Sequence, residues 1–575
     1  MKKLLLVLFG SAFVLNLFAQ EALKSTEEDY YDLLTLNGVV ERPTLNYRTL
    51  SDNKYNILDQ EKFDVFPWTA QNLGQTKKIF DLNNPDSNWF IRGFDRSLSY
   101  KLYGPEEFLS YNSKAPFGQN DGALWQGRGL NSSFTTGIRL EGYGFELTFK
   151  PQLTYSQNKD FEIIKTSNTS RSEYAYFYGN CDAPQRFGDD SFSKYSWGDS
   201  EVRWNYRTFT VGFGTQSIWS GPSYENATIL SNTGVPFPKL DFGFRKTEII
   251  VPYLGWSLGE VETRFFYGKL SESDYFDNDS GNNHNLLSGF TISYAPTLDL
   301  LKGLTLGVTK ICLSKWGHKT SQYINPGFNG NTLSSKDDAG EDQFAALTAD
   351  WVFPSVGFEL YGELGFDDLL ANGYKVYEYQ RYPFHTMTYT VGLKKSFTIS
   401  EKRRLYGVFN FEWNNTETSQ DYQMWPGSTY NFAFHHQISQ GKTNEGQWLG
   451  SGIGYGGNSQ MLSFKLYSPH GFEKIVIGRN NPDNNYIWSK TVDQPAINTV
   501  QYFASFKANF YAGAETMWYI TPSLSVDASV LYNLIINPKY EQATGYTYNG
   551  LLYFRYDDKH SWNNYRFTLK AKYTL

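Results

Sequence analysis

Between Phe134 and Leu153 the chain alternates in a way that leaves few folds open. Phe134, Thr136, Ile138 and Leu140 share one face of an extended segment, with Thr135, Gly137, Arg139 and Glu141 opposite. After a Gly142-Tyr143-Gly144 turn, Phe145, Leu147, Phe149, Pro151 and Leu153 face Glu146, Thr148, Lys150 and Gln152. A period of two is that of a β-strand, and a glycine turn between two such runs reads as a hairpin. Met387, Tyr389, Val391 and Leu393 alternate with Thr388, Thr390, Gly392 and Lys394; after a charged 401–404 turn, Leu405, Gly407, Phe409, Phe411 and Trp413 repeat the pattern. The chain ends in the same style, Tyr565, Phe567, Leu569, Ala571, Tyr573 and Leu575 against Arg566, Thr568, Lys570, Lys572 and Thr574. One soluble core could hardly bury so many long apolar faces. An outer-membrane β-barrel, lipid outside and polar lumen inside, therefore stands ahead of a soluble β-sandwich.

Composition points the same way. Phe, Tyr and Trp make up 18% of the chain, yet mean hydropathy is −0.49. That suits a wall that is apolar on one side only, with Tyr and Trp gathered at the two interfaces. The first residues, MKKLLLVLFGSAFVLNLFAQ, place two lysines before an apolar run and a small residue at Ala19. This reads as a signal peptide over 1–19, too short for a spanning helix, and no cysteine follows it to anchor a lipid. Removing Lys2 and Lys3 from the 52 basic residues leaves 50 against 59 acidic ones. That balance gives no footprint for nucleic acid. Cys181 and Cys312 can either pair or stand as separate thiols.

Residues 20–85 differ from the rest. Thr26-Glu27-Glu28-Asp29 leads into Tyr30, Tyr31, Leu33, Leu34 and Leu36 and stops at Gly38, the pattern of a short helix. We expect a small periplasmic segment there, followed by the barrel over 86–575. The polar stretches 156–200, 271–286, 323–342 and 414–431 read as outward loops.

Chemical motifs are weak. Gly452 to Gly457 fits G-x-G-x-x-G without a strand-then-helix context, and Gly441-Lys442-Thr443 lacks the earlier glycine of a P-loop, His436 standing there. Asp277 to Gly281 has calcium-like spacing without a later bidentate Glu. Glu359, Glu363 and Asp367 form an acidic row on the lumen side of one strand, with Tyr361 among them. Carboxylates four residues apart on a strand sit roughly 13 Å apart, beyond a glycosidase pair. His435 and His436 point to opposite faces and cannot hold one metal together. We expect no catalytic residues, no metal and no cofactor.

Several stretches carry a resemblance to a known family. Trp219-Ser220-Gly221-Pro222 with Ile229-Leu230-Ser231-Asn232 and Pro236-Phe237-Pro238 is one; "FHHQISQGKTNEGQWLGSGIGYGGNSQ", "YYDLLTLNGVVERPTLNYRTLSD" and "NDGALWQGRGLN" are others. Together they resemble the Wzi-type capsule assembly proteins along nearly the whole mature chain. The sequence departs from that pattern at Ser223, where a glycine is usual, and at Tyr455, where a proline is. The resemblance implies a barrel of about 18 strands, a small helical periplasmic segment, and a lectin role in attaching capsular or other surface polysaccharide to the cell exterior. It implies a monomeric protein in the outer membrane of a Gram-negative bacterium, in contact with outer-membrane lipid and with loops exposed at the surface.

For a glycan site we select aromatic faces beside amides: Trp425, Tyr430, Asn480, Asn481, Asn484, Asn485, Tyr486 and Trp488. Acidic loops suit a ligand that is neutral or bridged by cations. The strand ending at Phe213 gives way to a segment stiffened by Pro222, Pro236 and Pro238, with Trp219 and Gly221 at its start. We expect it to fold inward and narrow the lumen, against the plainer reading of a turn that ends the strand. A porin is the alternative function, and an outer-membrane hydrolase the third.

Overall fold

The structure is a computed structural model. It describes residues 24–52, 54–74, 76–84, 86–164, 170–178, 181–317, 340–367, 384, 386–419, 432–435, 437–482, 484–487, 506–540, 544–549, 551–555 and 561–574. Eighteen antiparallel strands close into one barrel. The wall begins with β1 Ser97–Asn112, β2 Gly129–Gly142, β3 at 145–156, β4 at 192–206, β5 Phe209–Gly214 and β6 Lys239–Ile250. It continues with β7 Ser257–Ser271, β8 His284–Pro296, β9 Leu304–Lys315, β10 Glu341–Phe353, β11 Phe358–Asp367 and β12 Met387–Ser400. The last six are β13 Leu405–Asn415, β14 Asn458–Ser468, β15 Gly471–Asn481, β16 Ala508–Thr521, β17 Leu524–Ile536 and β18 Trp562–Tyr573. β18 pairs back onto β1, Arg566 opposite Asn112 to Lys572 opposite Glu106, so the sheet has no free seam there.

Burial along each strand is the reverse of a soluble protein's. On β2, Phe134, Ile138 and Leu140 are exposed while Arg139 and Glu141 are buried. On β18, Phe567 and Leu569 are exposed and Asn564 is buried. Arg139, Arg203 and Arg264 are among the largest fully buried side chains in the molecule. An apolar outer belt with charge inside is stable only where lipid replaces water outside. Among the described residues no helix is long and apolar enough to cross a membrane, so crossing falls to the strands.

The two ends of the barrel differ. One has turns of two to seven residues, the other connections of 12 to 42. Residues 24–74 cover the short-turn end. Arg404 donates to the carbonyls of Asp64 and Val65, Trp68 Nε1 to Ser468 O at 3.0 Å, and Asn72 Nδ2 to Pro522 O. From there α1, Thr26–Leu36, enters the lumen. Ser25 caps it by accepting from the Glu28 N–H, and Glu27, Glu28 and Asp29 occupy the first turn, where the helix dipole favours negative charge. Its apolar side packs with Trp68, Tyr406, Tyr467 and Phe472 into one of two main cores.

Sequence alternation ran β3 through Pro151 without a break. The structure interrupts it at Lys150-Pro151, and β4 opposite at 197–200. Proline has no N–H to offer the ladder, so pairing stops and restarts one step on. Cys181 and Cys312 are separate buried thiols.

Candidate functional site

Three wall carboxylates organise the lumen, each receiving a run of backbone N–H groups from chain that has left the wall. Glu262 on β7 accepts from Leu45, Asn46 and Tyr47 at 2.9–3.3 Å. Glu363 on β11 accepts from Ser223 and Thr228 at 3.0 and 2.7 Å. Glu412 on β13 accepts from Tyr224, Glu225 and Asn226 at 2.7–2.9 Å, and from the Tyr361 hydroxyl at 3.0 Å. A buried carboxylate needs several donors and an infolded loop has spare N–H groups, so each removes the other's desolvation cost.

Residues 215–238 thus cross the lumen. Trp219-Ser220 forms a two-residue ladder with Tyr47-Arg48, and Gly221 N–H donates to Asn46 O. Gly221 has φ +101°, and a Cβ there would lie 2.1 Å from the Glu363 carboxylate, so only glycine fits. Trp219 is fully buried, Pro222 half-buried, and Pro236 lines an interior cavity; Pro238 stands on the outer wall where the segment returns. A second inward segment, 437–457, meets the first. Ser231 N–H donates to Leu449 O, and Lys442 Nζ donates to Thr228 O and to the Tyr455 hydroxyl, both at 2.7 Å. Ile229, Leu230, Phe432, Leu449 and Tyr455 join the other main core.

Ion pairs hold the N-terminal segment. Asp29 meets Lys465, Asp32 meets Lys394, Glu27 meets Lys572, and Arg42 bridges Asp32, Asp350 and Glu359. Asp52 meets both Arg245 and Arg264. Burial alone would raise the Asp29 carboxyl; Lys465 and Lys24 outweigh it and bring it down to about 2. Lys442 goes the other way. Burial lowers its ammonium to about 7, despite Asp367, Asp342 and Glu363 nearby.

At the long-loop end a cavity of about 330 Å³ remains. Trp125, Phe177, Trp448 and Trp562 line it, with Gln447, Asn509 and Asn533 among them. The rings are fixed from behind: Trp448 stands edge-on to Tyr455 at 5.5 Å, and Trp125 packs on Phe187 at 5.0 Å. Trp125 Nε1, Asn509 Oδ1 and Asn533 Oδ1 are buried with no hydrogen bond among the described residues. Unmet polar atoms between fixed aromatic faces suit a ligand carrying both hydroxyls and C–H surfaces.

Placement of the sequence-selected residues is mixed. Glu359, Glu363 and Asp367 are all buried and face the lumen, where Glu359 pairs with Arg42 and Lys394. Trp425, Tyr430 and Trp488 lie outside the described residues. Tyr486 packs edge-on to Phe177 at 4.9 Å, behind the cavity. Asn485 brackets loops, accepting from Thr418 N–H and donating its own to Gly456 O. Asn480 pairs in register with Asn509, and Asn481 with Asn458. Asn484 is half-buried on the same loop. Trp125, Trp448 and Lys442 were not selected, although all three lie in the stretches that carry the family resemblance. At 277–281 the Asp277 and Asp279 carboxylates cap backbone N–H groups, and among the described residues no group of three His, Cys, Asp or Glu could hold a metal.

No family model and no curated protein matches the chain. Solved structures do. Wzi, an outer-membrane protein of Escherichia coli involved in group 1 capsule assembly and described as a carbohydrate-binding β-barrel, aligns over 98% of this chain and 100% of its own, with TM-score 0.53 and 12% identity. This chain shares the Wzi fold. OccAB1 of Acinetobacter baumannii aligns over 84% of this chain and 97% of its own at TM-score 0.34 and 11% identity. A mutant porin of Rh. blastica covers 82% of this chain and 100% of its own, at TM-score 0.30 and 11% identity. The Wzi likeness fixes the fold as that of an outer-membrane barrel.

Proposed function

We propose that this protein binds capsular or other surface polysaccharide at the outer face of the outer membrane and helps hold it there. The observation that carries the reading is the aromatic and amide cavity of about 330 Å³ at the long-loop end, above a lumen filled by buried, bonded chain. Two further facts support it. Wzi, whose fold this is, is described as carbohydrate binding, and Glu363 and Glu412 already accept backbone N–H groups, which leaves them little capacity as acid or base in a hydrolase. On this reading the barrel is a monomer, not an enzyme, with its short turns in the periplasm and its long loops at the cell surface.

The test is conductance of the full-length protein in planar bilayers, with a pull-down on the host's surface polysaccharide. A nearly silent barrel that retains the polymer, and loses it when Trp125 and Trp448 become alanine, is the expected result. A large steady current that the polymer leaves unchanged would instead make the protein a porin.

A further inference from the structure

The barrel wall has a notch. Gly214 at the end of β5 pairs with Glu201 on one side and Lys239 on the other, and Lys239 pairs with Gly268. Above that row both β5 and β6 are missing, because the chain between them has turned inward. Among the described residues β4 continues up to Phe192 paired only with β3, and β7 continues to Ser271. Two absent strands leave a gap on the order of 14 Å between β4 and β7. A hairpin of the inward loop, Thr443–Asn444 with Gln447–Trp448, stands in it. Glu445 N–H donates to Ser271 O at 2.7 Å, Ser271 N–H to Asn444 Oδ1 at 2.9 Å, and the Glu445 carboxylate pairs with Lys194 on β4.

Directly below the notch, on the bilayer side, lies a groove of about 570 Å³ lined by Leu147, Phe149, Trp197, Val202, Phe213 and Pro238. It exists because β3 and β4 both break here. Phe213 is 62% and Trp197 58% exposed, far above any core residue. On the lumen side of the same stretch, Gly198, Asp199, Ser217 and Pro236 line a polar chamber of about 240 Å³. That chamber shares Asn120, Asp121 and Leu124 with the loop-end cavity. The hairpin in the notch also supplies Gln447 and Trp448 to that cavity. An apolar site facing lipid therefore lies across the wall at 197–200 from a polar chamber that joins the site assigned to the glycan.

We propose that the ligand is amphiphilic: a glycolipid, its acyl chain lying in the external groove and its sugar headgroup in the notch beside the Thr443–Trp448 hairpin. This rests on the glycan reading above and names its substrate class. Lys194 and Glu445 offer polar contacts at the level of the headgroup, and the groove offers mainly apolar ones to the chain.

The test uses the full-length barrel in phosphatidylcholine nanodiscs containing a minor fraction of monoglucosyl diacylglycerol, with retained lipid counted by native mass spectrometry. Dextran oligosaccharide, which has no acyl chain, is titrated in parallel. Val202→Trp and Leu147→Trp fill the groove from the lipid-facing side; Leu360→Trp, on the exposed face of β11, is the control. Wild type and control should retain the glucolipid, and both filling variants should lose it roughly tenfold, with dextran affinity unchanged throughout. Retention by both filling variants, or equal retention of phosphatidylcholine by wild type, overturns the glycolipid proposal and leaves the glycan reading standing. Failure of wild type to retain the host's surface polysaccharide in the pull-down removes the glycan reading and this proposal with it.

Discussion

Glu412 shows how one side chain holds a length of infolded chain. Three consecutive backbone N–H groups, of Tyr224, Glu225 and Asn226, converge on its two oxygens. Glu412→Gln keeps the shape but replaces one acceptor with a donor and removes the charge. With hydrogen bonds to charged groups contributing about 1.5–3 kcal/mol each, the local loss is about 3 kcal/mol. Amide exchange at Tyr224 to Asn226 should therefore speed up roughly a hundredfold, with the rest of the wall unchanged. Lys442 gives a second handle. Its folded pKa of about 7 lies below the ordinary 10.5, so between those values the unfolded chain binds more protons. Stability then rises with pH from about 7 to about 10.5, and below 7 the full burial cost applies. Protection of the Thr228 and Tyr455 amides, taken relative to the base-catalysed exchange of unstructured chain at each pH, should increase as pH is raised through that window, and Lys442→Met should abolish the dependence. Nothing in the alternation marks either residue, because a lumen-facing Glu and a loop Lys read as ordinary polar positions until their partners, far away in sequence, are brought to them.

At the scale of the element, α1 is held by charges rather than by its own helicity. Eleven residues are too few for a stable helix in water. Asp29 and Asp32, on its buried side, reach Lys465 and Lys394 on two different strands. The Asp29 carboxyl titrates at about 2 against an ordinary 3.8, so its contribution is complete above 3.8 and is lost as pH falls through about 2. Lys465→Met leaves that carboxylate buried without its closest cation, a cost of about 3 kcal/mol. Limited proteolysis at neutral pH should then cut within 24–74, where wild type resists. The acidic start, the apolar spacing and the glycine stop made this helix legible beforehand. Its entry into the lumen was not, since both Leu33 and Asp32 are buried there and amphipathicity alone does not say whether a helix packs on a barrel or inside it.

For the whole molecule the decisive pair is Gly214 and Lys239, neighbours across the ladder with 24 residues between them. Because the strand ends already meet, a short glycine-containing turn can replace 216–237 without moving the wall. That variant should still close as a barrel and, having lost one of its inward segments, should pass a steady current where wild type is nearly silent. Its hairpin at 443–448 would lose the contact of Asn444 to Val235, and Leu449 just beyond it the contact to Ser231, so polysaccharide retention should fall as well.

Alternation by itself determined the barrel, the direction each strand faces and the acidic row at Glu359, Glu363 and Asp367, because a period of two assigns every second side chain to lipid or to lumen. It also flagged 213–238 as abnormal, since a run of prolines and glycine cannot continue a ladder. Tertiary structure alone decided which carboxylate receives which loop, that Trp125 and Trp448 share one cavity, and that the wall is notched between β4 and β7. Those are contacts between segments up to several hundred residues apart, set by barrel closure and by the need of each buried charge and each buried N–H for a partner. No local pattern encodes them.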